Sequence, residues 1–159
     1  TPSVAETRRS VAWSLLFISL LYLSTPALAV LVKFEIMNGA SVVQTNNVTL
    51  GAGFTYTFTT SLRGSYTIRA KAKHWLRKRS ATVNITDAGI TGLNFTLING
   101  DIDDSNIIDL GDFDLLAAAF GSEVGDGNYN IDADLNNDGV CDLGDFDILA
   151  AGFGQEGDD

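Results

Sequence analysis

Oxygen-bearing side chains recur at fixed spacings in the last third of the chain. Counting from Asp134, they fall at Asp134, Asn136, Asp138, the Val140 carbonyl, Asp142 and Asp145, with Gly139 between the third and fourth. These are positions 1, 3, 5, 7, 9 and 12 of a twelve-residue loop. Counting from Asp101, the same positions hold Asp101, Asp103, Ser105, the Ile107 carbonyl, Asp109 and Asp112, with Asn106 at position 6. A ligand set made only of oxygens, most of them anionic, suits a hard cation that takes six to eight ligands, and a flexible residue at position 6 makes the sharp turn. That chemistry is Ca²⁺, and two sites are expected. The first loop carries a hydroxyl, Ser105, where the second has Asp138, and Asn106 where the second has Gly139. Asn is the next residue most tolerant of a left-handed backbone, so the first loop should still form, with the weaker affinity.

The two loops belong to a tandem repeat. Residues 101–122 align with 134–155 without gaps, including the block Asp-Leu-Gly-Asp-Phe-Asp at 109–114 and at 142–147. After each loop comes a helical pattern. Phe113, Leu116, Ala117 and Phe120, and likewise Phe146, Leu149, Ala150 and Phe153, lie at i, i+3, i+4 and i+7 and predict one apolar stripe each. Gly121 and Gly154 follow as C-terminal stops. No helix pattern enters either loop, and Asn99-Gly100 reads as a turn before the first. Each unit is therefore half an EF-hand, and residues 100–159 form a two-repeat calcium-binding helical module.

Charge divides the chain at the same place. Residues 101–159 hold 17 Asp or Glu and no Lys or Arg, whereas residues 30–100 hold 8 Lys or Arg against Glu35 and Asp87. Clustered carboxylates repel one another, so metal binding and folding of the acidic half should be coupled. The same charge excludes nucleic acid as a partner of that half.

Upstream, residues 30–99 alternate apolar and polar side chains: Val32, Phe34, Ile36; Phe54, Tyr56, Phe58; Tyr66, Ile68, Ala70, Ala72; Val83, Ile85; and Leu93, Phe95, Leu97. Turn signals such as Asn38-Gly39 and Arg63-Gly64-Ser65 separate the runs. A period of two in short runs predicts a small antiparallel β-sandwich. At the N-terminus, Arg8-Arg9 precede an apolar run from Val11 to Leu23, then Pro26 and Ala27-Leu28-Ala29. This order predicts a secretory signal peptide over residues 1–29, and hence a secreted, extracellular or cell-surface protein. Without cleavage, Val11–Val32 would serve as a membrane anchor. One cysteine, Cys141, leaves no intramolecular disulfide and reads as a small buried apolar residue.

Two loop–helix repeats, each closing on Asp rather than Glu at position 12, resemble type I dockerin domains over residues 100–155. The resemblance implies two repeats packed with pseudo-twofold symmetry around two Ca²⁺ ions, with one helix face docking onto a cohesin domain that tethers secreted proteins to a scaffold. Partner choice in that family is read partly at loop positions 10 and 11, here Leu110-Gly111 and Leu143-Gly144, which are not the hydroxyl pairs of its best-known cellulosomal members. The sandwich is similar to small carboxypeptidase-regulatory-like, or prealbumin-like, extracellular domains, through Tyr56-Thr57-Phe58, Gly64-Ser65-Tyr66-Thr67-Ile68 leading to Trp75, and Gly92 to Leu97. That likeness implies a binding or spacing module without catalysis.

No enzyme signature accompanies these features: His74 is the only histidine and stands in no nucleophile motif. The expected function is non-catalytic, calcium-dependent assembly outside the cell, with a cohesin-like receptor as partner. Two alternatives stand beside it. The basic stretch Lys71, Lys73, His74, Trp75, Arg77, Lys78, Arg79 could meet the acidic module of the next copy and build a head-to-tail fibre or surface layer. Trp75 could serve a carbohydrate-binding β module. Three Asn-x-Thr sequons, at Asn47, Asn84 and Asn94, are candidate glycosylation sites.

Overall fold

The computed structural model describes residues 9–14 and 30–159. The expected signal peptide lies for the most part outside them. Its described part, Arg9–Ser14, is strand β1. The remaining strands are β2 (Leu31–Asn38), β3 (Ser41–Thr49), β4 (Thr55–Thr60), β5 (Gly64–Ala72), β6 (His74–Trp75), β7 (Lys78–Arg79), β8 (Val83–Ile85) and β9 (Asn99–Asp101), followed by helices α1 (Leu110–Ala119) and α2 (Leu143–Gly152). Among the described residues no helix is long and apolar enough to cross a membrane.

The sandwich is antiparallel, as the alternation predicts. One sheet runs β3-β2-β5-β7, with β8 on the first residues of β5, and β4 pairs with β1. Strand β3 follows β2 through the Asn38-Gly39 turn, where Gly39 takes a φ of +60°. Its own sequence shows no clean alternation, because β3 is an edge strand whose Val42 and Val43 remain exposed. The core is built from the inward residues of each run: Val32, Phe34 and Ile36 of β2, Tyr56 and Phe58 of β4, and Ile68, Ala70 and Ala72 of β5. Phe34 stacks on Tyr56 with ring centroids 4.2 Å apart. Phe95 and Leu97 complete this core from a segment that is not a regular strand, although its period of two does bury one face.

The expected turn at Asn99-Gly100 is instead part of β9, which pairs with β6. A strand, not a turn, therefore delivers the chain into the first loop. Gly100 is required there for space: a Cβ would lie 3.2 Å from Ile108 Cδ1 and 3.5 Å from the Leu149 backbone.

The two loop–helix units pack against each other through reciprocal strand-like contacts. Ile107 bridges Glu156, and Val140 bridges Glu123. Gly154 donates to the Ile108 carbonyl (2.8 Å) and Gly121 to the Cys141 carbonyl (2.7 Å). Each member of a pair stands 33 residues from its counterpart, so the module has the internal twofold relation that the repeat implies. Its core contains Ile102, Ile108, Leu116, Ala119, Ala133, Leu135, Cys141 and Leu149, together with Leu76, which belongs by sequence to the sandwich.

Candidate metal centre

Each loop ends as a helix cap. Asp109 and Asp142 are the N-cap residues of α1 and α2, and Asp112 and Asp145 sit at the third helical position, completing capping boxes. Positions 9 and 12 of the loop are therefore fixed by the same interactions that start the helix. Asp109 Oδ1 accepts from Gly111 N and Asp142 Oδ1 from Gly144 N, both at 2.7 Å. Position 11 has little room for a side chain: a Cβ on Gly111 would lie 3.3 Å from Asp103 Oδ2, and one on Gly144 would lie 3.0 Å from Asn136 Nδ2.

The remaining hydrogen bonds repeat from loop to loop. Asp112 accepts from the N–H groups of Asp103 (3.1 Å) and Asp109 (2.8 Å), and Asp145 from those of Asn136 (3.1 Å) and Asp142 (2.8 Å). Asp101 takes the N–H of Asn106, and Asp134 that of Gly139. Ser105 does locally what Asp138 does: its Oγ accepts from Ile107 N at 3.3 Å, as Asp138 Oδ1 accepts from Val140 N at 2.9 Å. Asn106 has a φ of +72° and Gly139 of +92°, so both take the left-handed turn.

The donor set fits an oxygen-seeking cation. Asp101, Asp103 and Asp112 each present an oxygen, and the three oxygens lie within 4.8 Å of one another. In the second loop these positions are Asp134, Asn136 and Asp145, so an amide replaces one acid. Asp101, Asp112, Asp134 and Asp145 are buried. Burial pushes the Asp112 and Asp145 carboxyls above the usual carboxylate range, even though backbone N–H groups pull the other way. Held this way, an ionised carboxylate is costly until a cation faces it. Both loops carry four carboxylates at ligand positions: Asp101, Asp103, Asp109 and Asp112 in the first, and Asp134, Asp138, Asp142 and Asp145 in the second. The acid missing at Ser105 is thus restored at Asp103.

One asymmetry lies outside the loops. Oδ2 of Asp134 accepts from the Tyr129 hydroxyl (2.8 Å), a neutral group of the connecting segment. Oδ2 of Asp101 instead holds the ammonium of Lys71, at 2.7 Å, from strand β5 of the sandwich. Lys71 also reaches Asp104 Oδ1 (2.5 Å) and the Trp75 carbonyl (2.6 Å), and its side chain is only 11% exposed. No sequence spacing announces this contact, since 30 residues separate the partners.

The rest of the basic stretch is also engaged within the chain. Lys73 pairs with Asp132 at 2.6 Å, and Lys78 with Asp158 at 3.2 Å. Arg79 N donates to Asp158 Oδ2, Arg77 N to Asn106 Oδ1, and Asp158 N back to the Arg77 carbonyl. His74 Nδ1 meets Asn99 Oδ1 at 2.8 Å. Trp75 is half-buried against the sandwich core. Lys73 and Lys78 thus find acids of the helical module within the same molecule, while Arg77 and Arg79 reach it through their backbone N–H groups. Gly157 is the residue that lets the C-terminal segment close on Asn106: a Cβ there would overlap the Asn106 side chain and approach Arg77 N to 2.7 Å.

The helices turn a different face inward from the one their apolar periodicity predicts. Asp112, Leu116 and Ala119 of α1 are buried, as are Asp145, Leu149 and Gly152 of α2. Of each expected stripe only Leu116 and Leu149 are covered; Phe113, Ala117, Phe120, Phe146, Ala150 and Phe153 remain exposed. The buried carboxylate of each capping box has taken the first inward position and rotated the helix by about one residue. The result is an open apolar groove lined by Phe113, Leu116, Ala117, Phe120, Leu143 and Phe146, with the two leading Phe rings edge to face at 6.3 Å. Leu110 and Leu143, at loop position 10, are each 67% exposed, and Leu143 is part of the groove lining. The sequon residues Asn47, Asn84 and Asn94 are all exposed, and Cys141 is fully buried.

No protein-family model matches the chain. Its fold is shared with solved structures of a type II cohesin–X-dockerin complex from Acetivibrio cellulolyticus. An N-terminal interface mutant of that complex matches with a TM-score of 0.73 and a C-terminal interface mutant with 0.74, each at 22% identity over 92% of this chain and 96% of that one. The likeness runs through the sandwich and the helical module together. A 35-residue stretch is 71% identical to an uncharacterized symporter of Cupriavidus necator; it makes up 22% of this chain and 5% of the length of that protein.

Proposed function

We propose that this protein is a non-catalytic assembly protein acting outside the cell, which binds two Ca²⁺ ions in loops 101–112 and 134–145 and docks through its exposed helical face onto a cohesin-like receptor. The supporting observation is the matched pair of loops, whose lead and closing carboxylates are buried and face inward while among the described residues a single ammonium, that of Lys71, meets any of these four. Bound calcium supplies the positive charge that lets these acids be ionised together. The chain does the rest: backbone N–H groups orient Asp112 and Asp145, and the capping boxes turn that orientation into the direction of α1 and α2. The helices then present Phe113 and Phe146 side by side on one surface, of the size and aromatic character that protein partners bury. Export is supported by the basic, apolar and Ala-x-Ala order of residues 8–29. The dockerin resemblance of the two repeats and the shared fold support the receptor class.

The test is calcium titration of the purified protein against a chromophoric chelator, with helix content followed in parallel. Two ions per chain are expected, with loss of helicity on adding excess EGTA. The double variant Asp134→Ala, Asp145→Ala should take up one. Unchanged stoichiometry in that variant, or no uptake by the native chain, would overturn the loop assignment.

A further inference from the structure

Both loops have four carboxylates at ligand positions and share the hydrogen bonds that orient their closing acids, yet their lead acids are held by unlike groups. Asp134 has a neutral phenol at 2.8 Å, and Asp101 has an ammonium at 2.7 Å. The ammonium is almost enclosed, has a second acid in Asp104, and is anchored by the Ala72 and Trp75 carbonyls of its own domain. We propose that Lys71 is a positioning residue through which the sandwich sets the calcium response of the first loop: it holds that loop folded without metal and lowers its affinity for the ion, leaving the second loop as the calcium-sensitive one. The inference rests on the calcium reading above and adds to it which loop responds and why.

The physical reasoning has two parts. Without metal, a loop of four acids is opened by its own repulsion. Lys71 cancels part of that charge at Asp101, from a strand that does not depend on the loop for its own folding, since β5 is paired on both sides within the sandwich. The first loop is further tied down by Asn106, whose side chain accepts from Arg77 and whose carbonyl accepts from Gly157. Among the described residues the second loop has no cation and no contact of that kind from the sandwich at Gly139, where the pseudo-equivalent partner is Val124. With metal, a fixed positive charge behind a ligating carboxylate opposes a divalent ion a few ångströms further on. A partly enclosed pair of like charges at such a separation changes affinity by about tenfold after solvent and salt screening. The sandwich therefore trades calcium affinity at one loop for permanent attachment of the module.

The experiment compares the native protein with Lys71→Met and Lys71→Arg. Amide exchange in EGTA should show residues 103–109 protected in the native chain and in Lys71→Arg, exposed in Lys71→Met, and residues 136–142 exposed in all three. Calcium titration should show two unequal sites in the native protein, with the weaker one tightened by about tenfold in Lys71→Met and unchanged in Lys71→Arg. A residue with only a packing role would weaken that site on removal, so weaker or equal binding in Lys71→Met overturns the proposal. So does equal protection of both loops in EGTA. If Lys71→Met does not fold, Lys71→Gln keeps a donor for Asp101 without the charge and gives the same comparison. A native chain that takes up no calcium would sink the calcium reading alone, because the exchange pattern in EGTA still decides the role of Lys71.

Discussion

The side-chain carbonyl of Asn106 accepts a hydrogen bond from the backbone N–H of Arg77 at 2.8 Å, joining the turn of the first loop to the last strands of the sandwich. A glycine at position 6 would make the same turn but would leave the Arg77 N–H without this acceptor. The departure from Gly at this position is thus explained by the neighbouring domain and not by tolerance of the backbone alone.

The two domains also meet at Leu76, a side chain that leaves the sandwich and is buried in the core of the helical module, with its N–H on the Ile98 carbonyl at 2.7 Å. Leu76→Ala should destabilise the protein by about 3 kcal/mol, the usual cost of emptying a buried leucine site. Because the site bridges two cores, the loss should separate one unfolding transition into two. Differential scanning calorimetry in saturating calcium would check this, and a single unshifted transition would refute it.

The repeats differ at one inward helical position, Ala119 in α1 and Gly152 in α2. A Cβ on Gly152 would lie 2.7 Å from Ile108 Cδ1 and 3.0 Å from the Asn99 carbonyl, because α2 lies directly on β9. Gly152→Ala should therefore destabilise by about 2 kcal/mol through overpacking, despite the better helix propensity of Ala. Chemical denaturation would measure it; a stabilised Gly152→Ala variant would show that α2 has room the structure does not give it.

Phe113 and Phe146 contribute little to the fold and much to the surface. They are 38% and 37% exposed and touch each other across the groove. Replacing both with Ser should change stability by no more than about 1 kcal/mol while abolishing receptor binding, since aromatic residues at the centre of an interface carry most of its energy. Pull-down against a panel of cohesin domains, with thermal unfolding as the control, separates the two effects.

Asp158 gives the closure of the C-terminal segment a pH dependence. Burial raises its carboxyl, but the Arg79 N–H and the Lys78 ammonium outweigh this and hold it below the usual carboxylate range. A depressed carboxyl stabilises the fold above its unfolded value, near 3.9, and loses that contribution as pH falls through the lower folded value. The stability difference between the native chain and Asp158→Asn should be constant from pH 7 to about 5 and shrink towards zero below pH 4. A difference that does not vary with pH would remove Asp158 from the clasp.

The sequence was most informative where function and local structure use the same residues. Ligand positions 9 and 12 are also the two ends of a capping box, so their spacing predicts both an ion site and a helix start, and α1 and α2 begin there. The alternation of Phe34, Tyr56 and Ile68 likewise marks one buried face whatever its partners. Contacts across the domain boundary were not legible. Lys71 finds Asp101, and Leu76 finds Ile102 and Ile108, through folding of distant segments, and a basic run gives no sign of whether its acids are its own. The exposure of the phenylalanines escapes the apolar pattern for a specific reason. Periodicity counts apolar residues only, while here the residue that fixes the inward direction of each helix is a buried aspartate.

The crossed bridges between repeats also bear on how this protein is made. Ile108 and Asn106 of the first loop are joined to Gln155, Gly154 and Gly157, at the far end of the second repeat. As the chain leaves the ribosome from its N-terminal end, the sandwich can close on itself early and offer Lys71 and Arg77 to the first loop, but the partners of that loop in the second repeat come only with residues 154–157. The helical module should therefore assemble as one unit once both repeats have emerged, with the second loop closing where calcium is present.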